Sequence, residues 1–297
     1  MRRGTYSIVA HDPETGEVGA AVQSHWFAVG PIVPWVRAGV GGVCTQSVAE
    51  AAYGPRALDL LERGASAQAA LERLLAADEV ARYRQVAIVD ARGGVAVHTG
   101  EGCIAHAGDE RGAGFSAQAN MMASPEVWPA MARAFESAVG PLSRRLLAAL
   151  HAAEAHGGDA RGRQSAALVV APAEGEPWRR SVDLRVDDHP EPLAELDRLH
   201  DLADAYELAT QGDELAGQGR HDEAGDRYTR AAALAPDNHE LLFWAGLAAA
   251  QSGDMPTALD RVRRAIELQP GWRDLLGRLE PDIAPSAQAV RAALGED

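Results

Sequence analysis

The amino-acid sequence predicts an α+β protein: a four-layer sandwich, with helices outside two stacked sheets, followed by a small all-α domain. Groups of strand-like segments alternate with pairs of helix-like segments over residues 5–188. Several strand-like runs lack polar alternation, which indicates burial on both faces. From His200 onward the sequence is rich in Ala, Leu and Arg, and it repeats. We therefore predict two domains, over residues 1–195 and 196–297.

The predicted elements of the first domain follow in order. They begin with a hairpin and a third strand: Tyr6 to Ala10, Val18 to Gln23 across the turn at Asp12 to Gly16, and Gly39 to Ser47. Two helices follow, over Pro55 to Arg63 and after the N-cap residue Ser66. The remaining elements are a hairpin with Gly93 and Gly94 at its turn, a strand over Phe115 to Ala119, helices over Pro125 to Phe135 and Pro141 to His156, and strands over 164–172 and 181–188. Paired helices between groups of strands favour antiparallel sheets over a regular parallel arrangement.

The second domain contains a repeat. The segment GRHDEAGDRYTRAAALAPDN aligns with GDMPTALDRVRRAIELQPGW at an offset of 34 residues. Identical residues at this offset include the pairs Gly219 with Gly253, Ala224 with Ala258, Ala231 with Ala265, Leu234 with Leu268, and Pro236 with Pro270. This is the period and pattern of the tetratricopeptide repeat, a helix-turn-helix unit. Two repeats and a terminal helix over Ser286 to Leu294 make a short array that could bind a partner or another copy.

The bulk composition excludes several classes of protein. The formal net charge of -15 does not suit a non-specific nucleic-acid binder, which needs a basic surface. Two cysteines, Cys44 and Cys103, exclude a disulfide framework and a four-thiolate metal site. The start MRRGTYS lacks the apolar region of a signal peptide, and no run approaches the length of a membrane span. We predict a soluble, cytoplasmic protein.

The sequence contains none of the common short motifs that by themselves indicate an enzyme class. It contains no G-x-S-x-G, no Walker loop and no H-E-x-x-H. Histidines without metal-ligand spacing include His11, His25, His98, His106 and His189, and the DDHP segment at Asp187 is interpreted as a polar link after the last strand. We therefore predict neither a metal nor a cofactor.

Polar side chains are instead dispersed at the ends of predicted strands. Gln46 and Ser47 end one strand, and Gln118 and Asn120 follow another. The Gly-rich segment GGDARGRQSAAL brings Asp159, Arg161, Arg163, Gln164 and Ser165 into a third strand. Such a loop can orient an anionic group or polarise an amide. Turn formation, with caps and an ion pair, is the alternative interpretation of each piece taken alone.

Taken together, these segments resemble a known family. The motifs TYSIVAHDPETGEVGAAV, AGVGGVCTQSVAEAAYGPRALDLL, YRQVAIVDARGG, HTGEGC, GGDARGRQSAAL and VDLRVDDHPEP occur in this order. The pattern is similar to that of the DUF1028 family, which is assigned to the N-terminal nucleophile hydrolase superfamily. The resemblance covers residues 5 to about 195 and leaves out the repeats. It implies an αββα sandwich and hydrolysis of a small-molecule substrate.

The resemblance also implies roles for individual residues. Hydrolases of this superfamily use a strand-initial Thr, Ser or Cys as the nucleophile and its own α-amine as the base, and Thr5 is the matching residue. We expect Asn120, Gln164 and Ser165 to hold the oxyanion, and Asp159 and Arg161 to orient the nucleophile or the substrate. Candidate substrate-binding residues are Ser24, Gln46, Ser47 and Gln118. Because Thr5 is not terminal in the encoded chain, a free α-amine requires cleavage after Gly4.

Two hypotheses on function follow. In the first, the protein is an amidohydrolase that cleaves a small amide, cyclic amide or ureido C–N bond through Thr5. In the second, it is a non-catalytic ligand-binding or scaffold protein whose repeats mediate protein–protein contacts. Without cleavage after Gly4, another nucleophile such as Cys44 or Ser165 is a further alternative. A homodimer is expected under both hypotheses.

Overall fold

A computed structural model of the chain describes residues 4–295. It divides into two compact units, the first extending to Asp197 and the second beginning at Arg198. The predicted cleavage after Gly4 concerns a segment of which Met1, Arg2 and Arg3 lie outside the described residues.

The described part of the first unit alternates between strands and paired helices. Its strands are β1 (Thr5–His11), β2 (Val18–Ser24), β3 (Pro34–Arg37), β4 (Gly41–Ser47), β5 (Arg84–Asp90), β6 (Val95–Thr99), β7 (Gly108–Gly112), β8 (Phe115–Asn120), β9 (Ser165–Ala171) and β10 (Val182–Val186). Its helices are α1 (Tyr53–Glu62), α2 (Ala67–Ala76), α3 (Val127–Ser137) and α4 (Leu142–Ala155), with a short 3-10 helix at Ala81–Tyr83.

These strands form two antiparallel sheets. One has the order β10-β9-β2-β1-β8-β7 and the other β3-β4-β5-β6. In the first sheet, β1 lies between β2 and β8, with Tyr6 opposite Gln23 and Thr5 opposite Asn120. In the second, Gln46 of β4 lies opposite Gln85 of β5. The mixed α/β organisation with antiparallel sheets is confirmed.

Apolar side chains from both sheets meet in one core. It combines Val9 of β1 and Val22 of β2 with Cys44 and Ala87 of the second sheet. Because side chains of a strand alternate between its two faces, the neighbours of these residues point away from the core. On the far side of the second sheet, Ile88 packs against α1 and α2.

The strands β3 and β7 were not predicted, for different reasons. The strand β3 has only four residues, and it begins with Pro34, which cannot donate a backbone hydrogen bond to a neighbouring strand. The strand β7 contains Asp109, Glu110 and Arg111, which are unusual in a core strand but suit an edge strand that is protected by charge. Helix α1 begins at Tyr53, two residues before the predicted start, because Glu50 and Ala51 supply the first turn.

The second unit is all-helical in its described part. Helix α5 (Pro192–Gly217) begins in the first unit, and it is followed by α6 (His221–Leu234), α7 (His239–Gln251), α8 (Met255–Leu268), α9 (Gly271–Leu276) and α10 (Ala287–Ala293). The repeated alanines at the 34-residue offset are buried, so small residues stand where paired helices approach most closely. Across residues 4–295, every helix is too short or too polar to cross a bilayer.

Candidate active site

Polar side chains occupy one end of the space between the sheets. On β1, Thr5 and Ser7 share a face with Val9, which belongs to the core between the sheets. On β8, the register places Asn120 opposite Thr5 and Gln118 opposite Ser7. The same face is therefore apolar toward the end of β1 and polar at its beginning, and Thr5 is only 1% exposed.

The carbonyl oxygen of Gly4 is surrounded by donors. Thr5 Oγ1 lies 2.6 Å from it, Ser24 Oγ donates to it at 2.5 Å, and Arg161 Nη2 donates to it at 2.8 Å. Thr5 Oγ1 is also 3.1 Å from Ser24 Oγ, so its single hydrogen can point to either oxygen. This carbonyl belongs to the peptide bond between Gly4 and Thr5, and the two hydroxyls and the guanidinium polarise it.

A buried carboxylate holds the guanidinium in place. Arg161 pairs with Asp159 through Nε at 3.1 Å and Nη2 at 2.8 Å. Two backbone amides, those of Arg161 and His25, also donate to Asp159, at 2.9 and 3.1 Å. Because Asp159 is buried and accepts bonds on both oxygens, the pair is a fixed part of the site.

Gly4 fits this site because it lacks a side chain. A Cβ built on Gly4 would lie 2.8 Å from Asp159 Oδ2 and 2.9 Å from Oδ1. Real Cβ atoms essentially never approach another heavy atom so closely. The carboxylate is held by the bonds from Arg161 and His25, so it cannot easily move aside. The geometry therefore favours glycine immediately before Thr5.

Two amide side chains, one from the opposite sheet and one from β8, bond to the backbone of Thr5, and a third amide connects them. Gln46 Nε2 and Asn120 Nδ2 donate to the Thr5 carbonyl oxygen at 3.3 and 3.5 Å. Both also donate to Gln85 Oε1, at 2.8 and 2.9 Å. Gln85 was not predicted as a site residue, although a buried amide side chain directly before the apolar run at 86–89 is a usable signal.

A second set of hydrogen bonds surrounds Ser7, which lies two residues after Thr5 on the same face of β1. Gln118 Nε2 donates to Ser7 Oγ at 2.6 Å, and Ser7 Oγ donates to Gln46 Oε1 at 2.6 Å. Gln118 therefore reaches Thr5 only through other residues. Cys44, on the same face of β4 as Gln46, is fully buried, and burial raises the pKa of its thiol to about 12. Because the thiolate is the nucleophilic form, this position does not suit the alternative in which Cys44 is the nucleophile.

Three other predicted site residues contact the surrounding loops. Gln164 Nε2 donates to Asp188 Oδ1 at 3.1 Å on the surface. Ser165 Oγ donates to the Trp26 carbonyl at 2.5 Å and accepts from the Val29 amide at 3.1 Å. Ser47 ends β4 beside the thiol of Cys103. The structure thus brings Thr5, Ser24, Gln46, Asn120, Asp159 and Arg161 together, whereas the contacts described for Gln164, Ser165 and Ser47 lead elsewhere.

Backbone strain is concentrated around the same residues. Ser47 directly follows Gln46 with φ +70°, and Met121 directly follows Asn120 with φ +60°. Ala28 has φ +51°, and it lies in the loop that follows His25, whose backbone amide donates to Asp159. Non-glycine residues in this conformation cost on the order of 1 kcal/mol or more and cluster at functional sites. Their position therefore supports this end of the sandwich as the functional one.

Potential metal ligands lie elsewhere. In the second unit, ligand atoms of His200, Asp201 and Asp204 lie within 4.8 Å of one another. Exposed acidic groups of this kind are common without an ion, so the group supports no metal assignment.

The comparisons with known proteins agree with the motifs. A family model described as a family of unknown function (DUF1028) matches residues 5–196, and a tetratricopeptide repeat model matches residues 210–271. None of the curated proteins matches the chain. The crystal structure of protein SPO2555 from Silicibacter pomeroyi, of the same DUF1028 model, is similar with a TM-score of 0.61 and 34% sequence identity. That match covers 66% of this chain and 84% of the other. The chain belongs to the DUF1028 family and carries tetratricopeptide repeats in its C-terminal part.

Proposed function

We propose that the protein is an N-terminal-nucleophile-type hydrolase with an αββα sandwich, and that Thr5 becomes its nucleophile after cleavage of the Gly4–Thr5 bond. The observation that carries the proposal is the surrounding of the Gly4 carbonyl oxygen by Thr5, Ser24 and Arg161. A carbonyl in such surroundings is prepared for attack, because the same donors stabilise negative charge on its oxygen.

The processing reaction needs only groups of the chain itself and one water molecule. Thr5 Oγ1 adds to the Gly4 carbonyl carbon, and the hydroxyl proton passes to the Thr5 nitrogen. The C–N bond breaks, leaving an ester between Gly4 and Thr5 Oγ1 together with a free α-amine. Water then hydrolyses the ester, which releases Met1 to Gly4 with a new carboxylate and restores the Thr5 hydroxyl.

The same groups then serve an external substrate. The α-amine of Thr5, with an ordinary pKa of about 7.7 to 8.0, accepts the hydroxyl proton as Oγ1 attacks the substrate carbonyl. Ser24 Oγ and Arg161 Nη2, released from Gly4, can donate to the oxyanion. The leaving nitrogen receives the proton, and water hydrolyses the acyl-enzyme. Because Thr5 is deeply buried, we propose a small amide, cyclic amide or ureido compound as the substrate.

Intact mass and turnover test the proposal. The purified, untagged protein should lack Met1 to Gly4, whereas Thr5→Ala should keep them. Against small amides, cyclic amides and ureido compounds, Thr5→Ala should lose activity by on the order of 10³-fold or more. Thr15→Ala, in the exposed turn between β1 and β2, is the matched control and should behave as wild type. Full activity in Thr5→Ala would rule out the proposed nucleophile.

The tetratricopeptide repeats favour a second candidate function. In this alternative the sandwich binds a small ligand without turnover and the repeats contact a protein partner. An uncleaved chain that binds small amides without hydrolysing them would support it. In both cases we propose a cytoplasmic protein that works without a cofactor and forms a homodimer. Sedimentation of the purified protein tests the homodimer.

A further inference from the structure

The second unit contains a groove along its repeats. The cavity has a volume of about 790 Å³. It is lined by side chains of α5, α6 and α7 and by the segment at 282–285, among them Tyr206, Asp213, Tyr228, Glu240, Trp244 and Ile283. Its size suits several residues of an extended or helical peptide.

The charged side chains that line the groove are acidic. Asp213, Glu240 and Asp282 contribute carboxylates, and among the described residues that line the groove there is neither lysine nor arginine. The lining also carries the rings of Tyr206 and Trp244, and Ile283 is an exposed apolar side chain. A ligand that fits this surface is cationic and has apolar parts, because carboxylates and aromatic faces both attract a guanidinium or an ammonium.

Two of the carboxylates are held in fixed positions. Tyr228 donates its hydroxyl to Asp213 Oδ1 at 2.5 Å, and Tyr206 donates to Glu240 Oε2 at 2.6 Å. Burial and the neighbouring carboxylates raise the pKa of both tyrosines, so they remain protonated donors near neutral pH. Each carboxylate keeps further lone pairs for a cation. The acceptors are thus oriented before any ligand arrives, which lowers the entropic cost of binding.

The chain's own terminal helix does not fill the groove. Ser286 Oγ donates to the Leu247 carbonyl at 2.7 Å, and Val290 of α10 is buried in a cluster with side chains of α7 and α8. Only the preceding segment at 282–285 lines the groove, as a wall at its side. The predicted terminal helix over Ser286 to Leu294 therefore leaves the carboxylates and Ile283 accessible within the second unit.

We propose that this groove binds a segment of a partner protein that carries a lysine or arginine side chain next to an apolar one. The cation lies between the carboxylates of Asp213 and Glu240, and the apolar neighbour contacts Trp244 and Ile283. This function is independent of Thr5 and of cleavage after Gly4.

Selection from a library of random displayed 12-residue peptides tests the proposal. The full-length protein, its variant D213N/E240Q and the control variant D226N/D260N are used as parallel baits. Asp226 and Asp260 are exposed on α6 and α8 and do not line the groove, so the control removes the same charge from another surface. Both replacements in the groove retain an oxygen that can accept from the tyrosines. Circular dichroism and thermal melting confirm that the variants fold.

We expect wild type and the control to enrich peptides with lysine or arginine beside an apolar residue. A synthetic peptide from this set should bind D213N/E240Q at least about tenfold more weakly, with affinity that falls as salt rises. Replacing the peptide's lysine or arginine by norleucine should weaken binding to wild type by a similar factor, which tests the charge without any protein variant. Enrichment of acidic peptides, enrichment of none, unchanged affinity for D213N/E240Q, or equally tight binding of free arginine would overturn the proposal.

Discussion

At the scale of single residues, the lack of space between Gly4 and Asp159 makes one substitution informative. In Gly4→Ala, the added Cβ would lie 2.8 Å from Asp159 Oδ2 and displace the carbonyl from its donors. We expect the Gly4→Ala chain to keep residues 1–4 while wild type loses them, as read from intact mass. Gly217→Ala, where an added Cβ meets nothing within 4 Å, is the control. Normal cleavage of Gly4→Ala would show that the close contact does not matter.

A second residue-scale prediction concerns the ion pair of Asp78 with Arg84. Burial would raise the pKa of Asp78, but hydrogen bonds from Arg84 and Tyr53 outweigh it and lower this pKa to about 2. A lowered carboxyl pKa contributes stability that is fully present above the unfolded value of about 3.9 and is lost as the pH falls toward 2. Asp78→Asn should therefore cost about 2 kcal/mol of unfolding free energy at pH 7.

Urea unfolding at several pH values checks this prediction. The difference in unfolding free energy between wild type and Asp78→Asn should shrink between pH 5 and pH 3. The control is Asp59→Asn, which breaks a half-exposed pair with Arg37 and should cost about 0.5 kcal/mol. A difference for Asp78→Asn that stays constant over this range would contradict the assignment.

At the scale of elements, Gln85 connects the two sheets. From β5 it accepts from Gln46 and Asn120, and it donates to the carbonyl of Ala119 on β8 at 2.9 Å. Gln85→Ala removes the shared acceptor and leaves buried donors unpaired, so we expect a loss of about 2–4 kcal/mol in unfolding free energy. Thermal melting compares it with Gln68→Ala on the exposed face of α2, which should change stability little. Equal melting temperatures would argue against this connection.

The elements also differ in how far their sequence determines them. Long apolar strands such as β1, β5 and β9, and repeats with buried alanines, carry a local signal that predicts them. The strand β7 has none, because its conformation comes from pairing with β8 at a sheet edge. Edge pairing is a property of the tertiary structure, so such a strand cannot be found from its own residues.

At the scale of the whole molecule, the candidate site combines segments that are far apart in sequence. Thr5, Ser24, Asn120 and Arg161 meet through strand pairing and one loop. These residues could be predicted from family resemblance and from their positions at strand ends. Gln85 could not be placed with them, because the register between β4 and β5 that sets it against Gln46 is not visible in either segment alone.

Cleavage after Gly4 should be a property of the single chain. Thr5 and its carbonyl target are buried neighbours, so one molecule cannot present them to another. We expect a first-order rate that does not depend on protein concentration. A tagged Thr5→Ala chain mixed with wild type should remain uncleaved, as followed by intact mass. Cleavage of that chain in the mixture would require a reaction between molecules or a protease.

The three donors around the Gly4 carbonyl also impose a time order. Ser24 comes from the neighbouring strand, and Arg161 lies 157 residues further along the chain than Gly4. During synthesis, the bond between Gly4 and Thr5 therefore cannot be cut by these groups until the loop with Arg161 has emerged from the ribosome and lies beside Gly4. If the proposed reaction occurs, a free Thr5 amine records that this chain has completed its fold, and a retained leader marks one that has not.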